Sequence, residues 1–426
     1  MKIAQVYPHS VIALTPNRIA DALGIVNYEI ARRLAREHSV IVYSRQQRDQ
    51  AALQVQDGVI WARMPVLVDR VLNSLKVLDT LGVTPVSRPY RLSSLYYATF
   101  ARQVSRDIRV RQCQIVHIHG ITNFITSVRR RNPDACIVLH VHDHSLSDFD
   151  ATVIRSRLQH AALVLACSDH VASEIRLRFP DLTDRCHTLH NGIDERFLQF
   201  ESAPAESQTV LFVGRIAPEK GVSVLLQAFR EVVKRHPQAD LRMVGPFSSS
   251  PRQFVDPFNR DPVLEPIRRF CDSASVFRQH VQQAAALLAP RVRLEGTVAN
   301  SEVRYQYAQA GIFVFPSVWH EPFGIPLIEA MAAGLPVVTT RGGAASEIVV
   351  DGETGLLVER GDVESLVSAL CTLLSNPSLR GQMGLAGRER AARLFTWNQV
   401  AAKLDRLYEH AWGARPAHSP WVRSHH

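Results

Sequence analysis

Short apolar runs rich in Val, Ile and Leu recur along the chain and alternate with longer amphipathic stretches. "KIAQVYP" predicts a first strand and "SVIVYSR" a second. Between them "GIVNYEIARRLAREH" spaces Ile25, Val26, Ile30, Leu34 and Ala35 along one helical face. The same alternation continues through "QIVHIHG", "CIVLHVHD", "LVLACSD" and "RCHTLHNG", each run closing on Gly or polar residues. Apolar strands interleaved with helices predict a parallel sheet covered on both faces. The polar stretch "QFESAPAESQ" interrupts the pattern as a linker would. It then restarts with "TVLFVGRI", a helix over "GVSVLLQAFREVVKRHP", and the strands "DLRMVG", "RVRLEGTV", "GIFVFPS", "LPVVTT" and "GLLVE". The fold class is therefore α/β, with two doubly wound parallel-sheet domains over residues 1–200 and 201–390. Residues 391–426 read as a C-terminal helix, packing back on the first domain, and a tail. In such sheets ligands bind beyond the carboxyl ends of the strands, so chemistry is sought just after each strand.

Two segments depart from the alternation. Residues 246–290 begin with the Pro/Ser-rich "PFSSSPRQFVDPFNRDP" and read as an insertion where a short connection would suffice. Residues 63–112 set Arg88, Arg91, Arg102, Arg106, Arg109 and Arg111 among apolar positions. A solvated helix face accounts for such arginines; so does a surface for anionic lipid or an anionic acceptor.

Length and charge sharpen the picture. A chain of 426 residues exceeds what one core usually serves, in keeping with two domains. A formal net charge of +9 favours anionic partners, but no dense Lys/Arg tract with interleaved aromatics points to nucleic acid. The 6 cysteines are scattered without a C-x-x-C pair, which fits reduced thiols in a cytoplasm. The apolar run of "MKIAQVYPHS" stops at Pro8, too short for a signal segment, and no apolar run is long enough to cross a bilayer. A cytoplasmic location is expected, with peripheral contact at the inner membrane face as the lipid reading of the arginines.

Two stretches carry chemistry. After "TVLFVG", the loop "RIAPEKG" sets Arg215 and Lys220 between Gly214 and Gly221. A bidentate guanidinium, a point-charge ammonium and close backbone approach at glycine suit a diphosphate. In "EPFGIPLIEAMAAGLPVV", Pro326 suits a first helical turn and Gly334 a position just past the helix end. Gly324 and Ile325 then offer N–H groups at a helix N-terminus, where phosphate is stabilised. Glu321 and Glu329 bracket that turn, and carboxylates so placed accept hydrogen bonds from sugar hydroxyls. No G-x-x-x-x-G-K-[ST] loop occurs.

Residues 321–329 match the E-x7-E motif, set among the blocks "HNGIDERF", "GRIAPEKG", "VRLEGTV", "EPFGIPLIEAMAAGLPVVTTRGGAASEIVVDGETGLLV" and "FTW". In these blocks the chain resembles the retaining glycosyltransferases of family 4. The resemblance implies the GT-B fold of two Rossmann-like domains facing a central cleft. It implies that Arg215 and Lys220 neutralise the departing diphosphate, Glu321 binds hydroxyls of the transferred sugar and Glu329 binds the ribose. Phe323, Gly324 and Ile325 would add backbone contacts to phosphate and sugar, and Val298 would lie near the base. "ALGI" stands where relatives carry a double-glycine loop, with Gly24 as its one glycine; "HVHD" resembles the family's histidine-containing strand end, with His142 as an active-site residue and His119 as a second candidate.

The implied reaction moves a hexosyl group from a nucleotide-diphosphate sugar, UDP-sugar first and GDP-mannose next, to an acceptor hydroxyl with net retention. The acceptor is a carbohydrate, a lipid-linked sugar or a small metabolite. The acceptor proton passes to the departing phosphate, so no carboxylate nucleophile is assigned, and no metal and no cofactor are expected. Two rival readings stand beside it. One is a relative that binds nucleotide sugars without catalysis. The other is a metal-dependent hydrolase built on His117, His119, His140, His142 and His144, whose period of two puts alternate side chains on one strand face.

Overall fold

The computed structural model describes residues 1–8, 22–47, 50–199, 207–248, 255, 261–271 and 273–414. Much of "QFESAPAESQ" and of "PFSSSPRQFVDPFNRDP" lies outside them. The chain forms two compact units, Met1–His190 with Trp397–His426, and Asn191–Thr396. The first ends at His190 rather than residue 200, and the return to it falls at Trp397 rather than 391. "NGIDERF" accordingly belongs to the second unit: the Ile193 amide donates to the Phe395 carbonyl at 2.7 Å, and Phe197 meets Tyr307 edge-on at 5.6 Å between ring centroids.

In the first unit the strands are β1 (Lys2–Val6), β2 (Ser39–Arg45), β3 (Leu53–Gln56), β4 (Val59–Met64), β5 (Ile115–His119), β6 (Cys136–Val141), β7 (Leu163–Ala166) and β8 (Cys186–Thr188). They form an eight-stranded sheet in the order β3-β4-β2-β1-β5-β6-β7-β8. Every neighbouring pair is parallel except β3 with β4, an antiparallel edge hairpin that the apolar pattern does not announce. The turn between these two strands carries Asp57 and Gly58, both at positive φ. Helix Trp397–Gly413 completes this unit, burying Trp397, Val400, Leu404 and Tyr408. Polar ties flank that apolar face: Arg33 to Asn398 at 2.8 Å and His38 to Asp405 at 2.6 Å.

In the second unit β9 (Thr209–Val213), β10 (Asp240–Val244), β11 (Val292–Gly296), β12 (Ile312–Phe315), β13 (Val337–Thr340) and β14 (Gly355–Val358) form a wholly parallel sheet. Its order is β11-β10-β9-β12-β13-β14. The chain runs outward in both directions from β9 and β12, so the crevice beyond their carboxyl ends is the topological switch point where ligands are expected. The described part of the 246–290 segment includes helix Ala274–Ala286 and a small apolar cluster of Val255, Leu264, Ile267 and Cys271 around Val318.

Candidate functional site

The loop leaving β9 turns through Pro218–Lys220 and enters helix Val222–Arg235 at Gly221. Gly221 adopts φ +70°, and a Cβ there would sit 1.8 Å from the Pro316 carbonyl oxygen. Only glycine permits that approach, which presses the cationic loop against the residues leaving β12. The Glu219 carbonyl accepts from the Val318 amide at 3.1 Å and from Ser317 Oγ at 3.2 Å, fastening the two loops.

Lys220 and Glu321, distant in sequence, meet here: Nζ donates to Oε2 at 2.6 Å, with the lysine 7% and the glutamate 9% exposed. The ammonium also lies 5.5 Å from the Phe315 ring centroid and 5.4 Å from that of Trp319. A cation so enclosed keeps most of its electrostatic strength for an anion brought beside it. Arg215 is held differently. Its guanidinium donates to Oε1 of fully buried Glu219 at 2.8 Å while much of the side chain stays exposed.

Glu321 is positioned by backbone. It forms a parallel bridge with Gly343, and its carbonyl accepts from the Ala344 amide at 2.8 Å. Gly343 has φ +61°, and a Cβ there would come within 2.1 Å of the Glu321 carbonyl oxygen. Helix Ile325–Ala332 starts after Gly324, whose φ of +93° turns the chain into it, with Pro326 in the first turn. Pro326 has no N–H to leave over there, and the Leu327 amide donates to the Gly324 carbonyl at 2.9 Å. Phe323, 3% exposed, anchors the turn edge-on to Phe395. Gly334, at φ +79°, follows the helix end.

Glu329 lies one turn into that helix and accepts from the Tyr307 hydroxyl at 2.9 Å. Burial pushes its carboxyl up to about 7; Asp194 adds to the shift and the tyrosine opposes it. Val298 follows β11, half-buried. Glu219, Tyr307 and Gly343 were not among the residues singled out from sequence. Glu219 stood inside the quoted loop; Tyr307 carried no local signal. A further tie comes from Asp261, which binds Arg360 Nη1 at 2.6 Å, and that nitrogen also reaches the Val318 carbonyl at 3.0 Å.

Two candidates belong to the first unit. Gly24 is buried in the first turn of helix Ala22–Leu34; residues 9–21 before it are outside the described ones. His142 follows the end of β6, its Nε2 3.1 Å from His119 Nδ1. Desolvation lowers its pKa to about 4, so the ring is neutral at ordinary pH. His144 leaves the strand face and pairs with Glu174 at 2.7 Å, and Asp143 accepts from the Ser145 amide at 3.0 Å as a local cap.

Two cations, a helix start and two carboxylates stand after β9 and β12, at the switch point of the second α/β unit, an arrangement that fits a glycosyltransferase. The family models agree. "Glycosyltransferase Family 4" matches residues 23–197 and "Glycosyl transferases group 1" matches residues 194–390. Together they take in most of the chain, which belongs to this family of glycosyltransferases of GT-B fold.

Among curated relatives, spore coat protein SA of Bacillus subtilis is 23% identical over 328 residues, 73% of this chain and 82% of that protein. A D-inositol 3-phosphate glycosyltransferase of Corynebacterium diphtheriae is 34% identical over 209 residues, 48% of this chain and 43% of that one. Among solved structures, sucrose-phosphate synthase of Thermosynechococcus elongatus has a TM-score of 0.68 at 22% identity, covering 97% of this chain and 99% of its own. Anabaena HepE in complex with UDP and glucose has a TM-score of 0.66 at 16% identity, covering 96% and 99%. The hydrolase reading falls with these findings.

Proposed function

We propose that the chain transfers a hexosyl group from a nucleotide-diphosphate sugar to an acceptor hydroxyl with retention of configuration, without a metal at the diphosphate. The observation that carries this reading is the buried Lys220–Glu321 pair at the start of helix Ile325–Ala332. Lys220 and Arg215 meet the negative charge that develops on the leaving phosphate, a preorganised task that otherwise falls to a divalent ion. Glu321, freed of part of its hold on Lys220 by the incoming phosphate, accepts from sugar hydroxyls. Glu329 faces the ribose, the Gly324 and Ile325 amides hold phosphate, and Val298 borders the base. Gly24 serves the donor diphosphate, and His142 and the rest of the first unit serve the sugar and the acceptor.

UDP-sugar is the first donor to test and GDP-mannose the second; a solved structure of similar fold in complex with UDP and glucose supports the first, and a relative described as a phosphatidyl-myo-inositol mannosyltransferase supports the second. Thermal shift with UDP, GDP, ADP and dTDP and their sugars identifies the base. Ligand at about 100 times Kd adds ~2.7 kcal/mol, several degrees for a unit of this size. Product anomeric configuration by NMR and unchanged turnover without Mg2+ or Mn2+ complete the test. Failure of every nucleotide to raise the melting temperature, or an inverted product, overturns the reading.

A lipid-linked acceptor is favoured by the stretch after β4. Leu67, Val68, Val71, Val77 and Leu81 are exposed there, with Arg70 and Arg88 in the same stretch. Co-sedimentation with anionic but not neutral vesicles is the expected outcome; no sedimentation with either leaves a water-borne acceptor.

A further inference from the structure

The sheet of the first unit gathers three histidines, of which only His119 is also a candidate for the hexosyl transfer. His117 and His119 alternate along β5, and His140 on β6 stands beside His119 in register, so the three imidazoles emerge on one face. Each is at most 1% exposed. Ring centroids are 4.4 Å apart for His117 and His119, 5.2 Å for His117 and His140, and 5.5 Å for His119 and His140. One nitrogen from each ring lies within 4.8 Å of one from each of the others.

Hydrogen-bond accounting leaves these nitrogens over. His117 Nδ1 meets the Tyr408 hydroxyl at 2.5 Å, and His119 Nδ1 meets His142 Nε2 at 3.1 Å. His140 has the Leu189 backbone beside it, and His117 Nε2 and His119 Nε2 have no hydrogen-bond partner among the described residues. Gln5, fully buried beside His117 in register, has both amide atoms in the same condition. Each such atom costs about 1–3 kcal/mol when left bare, and native interiors do not gather so many without something to hold.

A neutral imidazole carries one N–H and one lone pair. In the Nδ1–H tautomer His117 donates to Tyr408 and His119 to His142, which turns both Nε2 lone pairs free. Imidazoles that ligate metals are oriented in this way by a partner on the second nitrogen.

We propose that His117, His119 and His140 form a buried site for a borderline divalent transition metal, Zn2+ in the first instance. An all-imidazole donor set suits zinc, copper or nickel and not magnesium or calcium. The ion joins β5 to β6, secures helix Trp397–Gly413 through Tyr408, and fixes the ring of His142 through His119. This departs from the sequence expectation of a protein without metal. It leaves the donor diphosphate, bound by the second unit, without one.

The test uses full-length protein purified without a histidine tag. Elemental analysis is expected to find about one zinc per chain, and protein made in Co2+ medium to show the visible bands of a low-coordinate nitrogen site. His140→Gln should lower metal content at least about tenfold, while His170→Gln, in the separate His144/His170/Glu174 group, should leave it unchanged. Wild-type protein with neither stoichiometric metal nor a Co2+ spectrum overturns the proposal, whether or not the variant folds. So does metal retained in His140→Gln or lost in His170→Gln.

Discussion

Lys220 and Arg215 are both cations held by carboxylates, but the solvent around them differs. Lys220 is enclosed with Glu321, and Arg215 leans from a buried Glu219 toward water. Replacing either with Ala is expected to lower turnover per folded molecule by at least about two orders of magnitude, the scale for a lost transition-state charge partner. Circular dichroism and melting separate this from misfolding, because stripping Lys220 from a buried pair also destabilises by ~3–5 kcal/mol. Near wild-type turnover removes the residue from the mechanism.

Glu329 carries a pH signature. Its carboxyl titrates near 7 in the folded chain against an ordinary 4.5, so the native state holds a proton that the unfolded chain has released between those values. Stability therefore falls as pH rises through that window and levels off above it. Glu329→Gln removes the dependence: its melting temperature should gain on wild type from pH 5 to pH 7.5, by the equivalent of ~2 kcal/mol once partial exposure is allowed for. A constant gap between the two proteins contradicts the shift. Arg215, Lys220 and Glu321 were readable because each sits beside Gly or Pro punctuation, and Glu329 by its spacing from Glu321. Their partners were not: Lys220 and Glu321 lie 101 positions apart, and Tyr307 meets Glu329 across 22.

At the scale of elements, Gly343 is the residue that lets the strand-end after β13 pair with Glu321. Gly343→Ala puts a methyl 2.1 Å from a carbonyl oxygen at a φ that alanine resists. The expected result is a loss of donor binding beyond the loss of stability, read as a weakened thermal shift by the nucleotide. Unchanged binding would mean that Glu321 is placed by its side-chain bond alone. Most strands of the two sheets were readable because buried strands are apolar on both faces. The edge hairpin was not: β4, "VIWARM", buries Arg63 within its run, and β3, "LQVQ", leaves Leu53 and Val55 exposed, so burial leaves no imprint on its pattern. The 246–290 segment was visible as an interruption, but the tie from Asp261 through Arg360 to Val318 depends on tertiary placement.

At the scale of the molecule, the first unit is discontinuous: its last helix is encoded after the whole second unit. Deleting the chain from Trp397 uncovers the apolar surface that Trp397, Val400, Leu404 and Tyr408 bury, at ~1.5–3 kcal/mol for each large side chain. Hydrogen exchange should show protection lost across β1, β2 and helix Ala22–Leu34 while β9 to β14 keep theirs; uniform loss in both units would contradict this. Helix Trp397–Gly413 also sets an order of events during synthesis. A ribosome delivers all the strands of the second unit before it makes the residues that close the first. The part of the chain made first is thus the part finished last, and its apolar face stays uncovered until helix Trp397–Gly413 has been made.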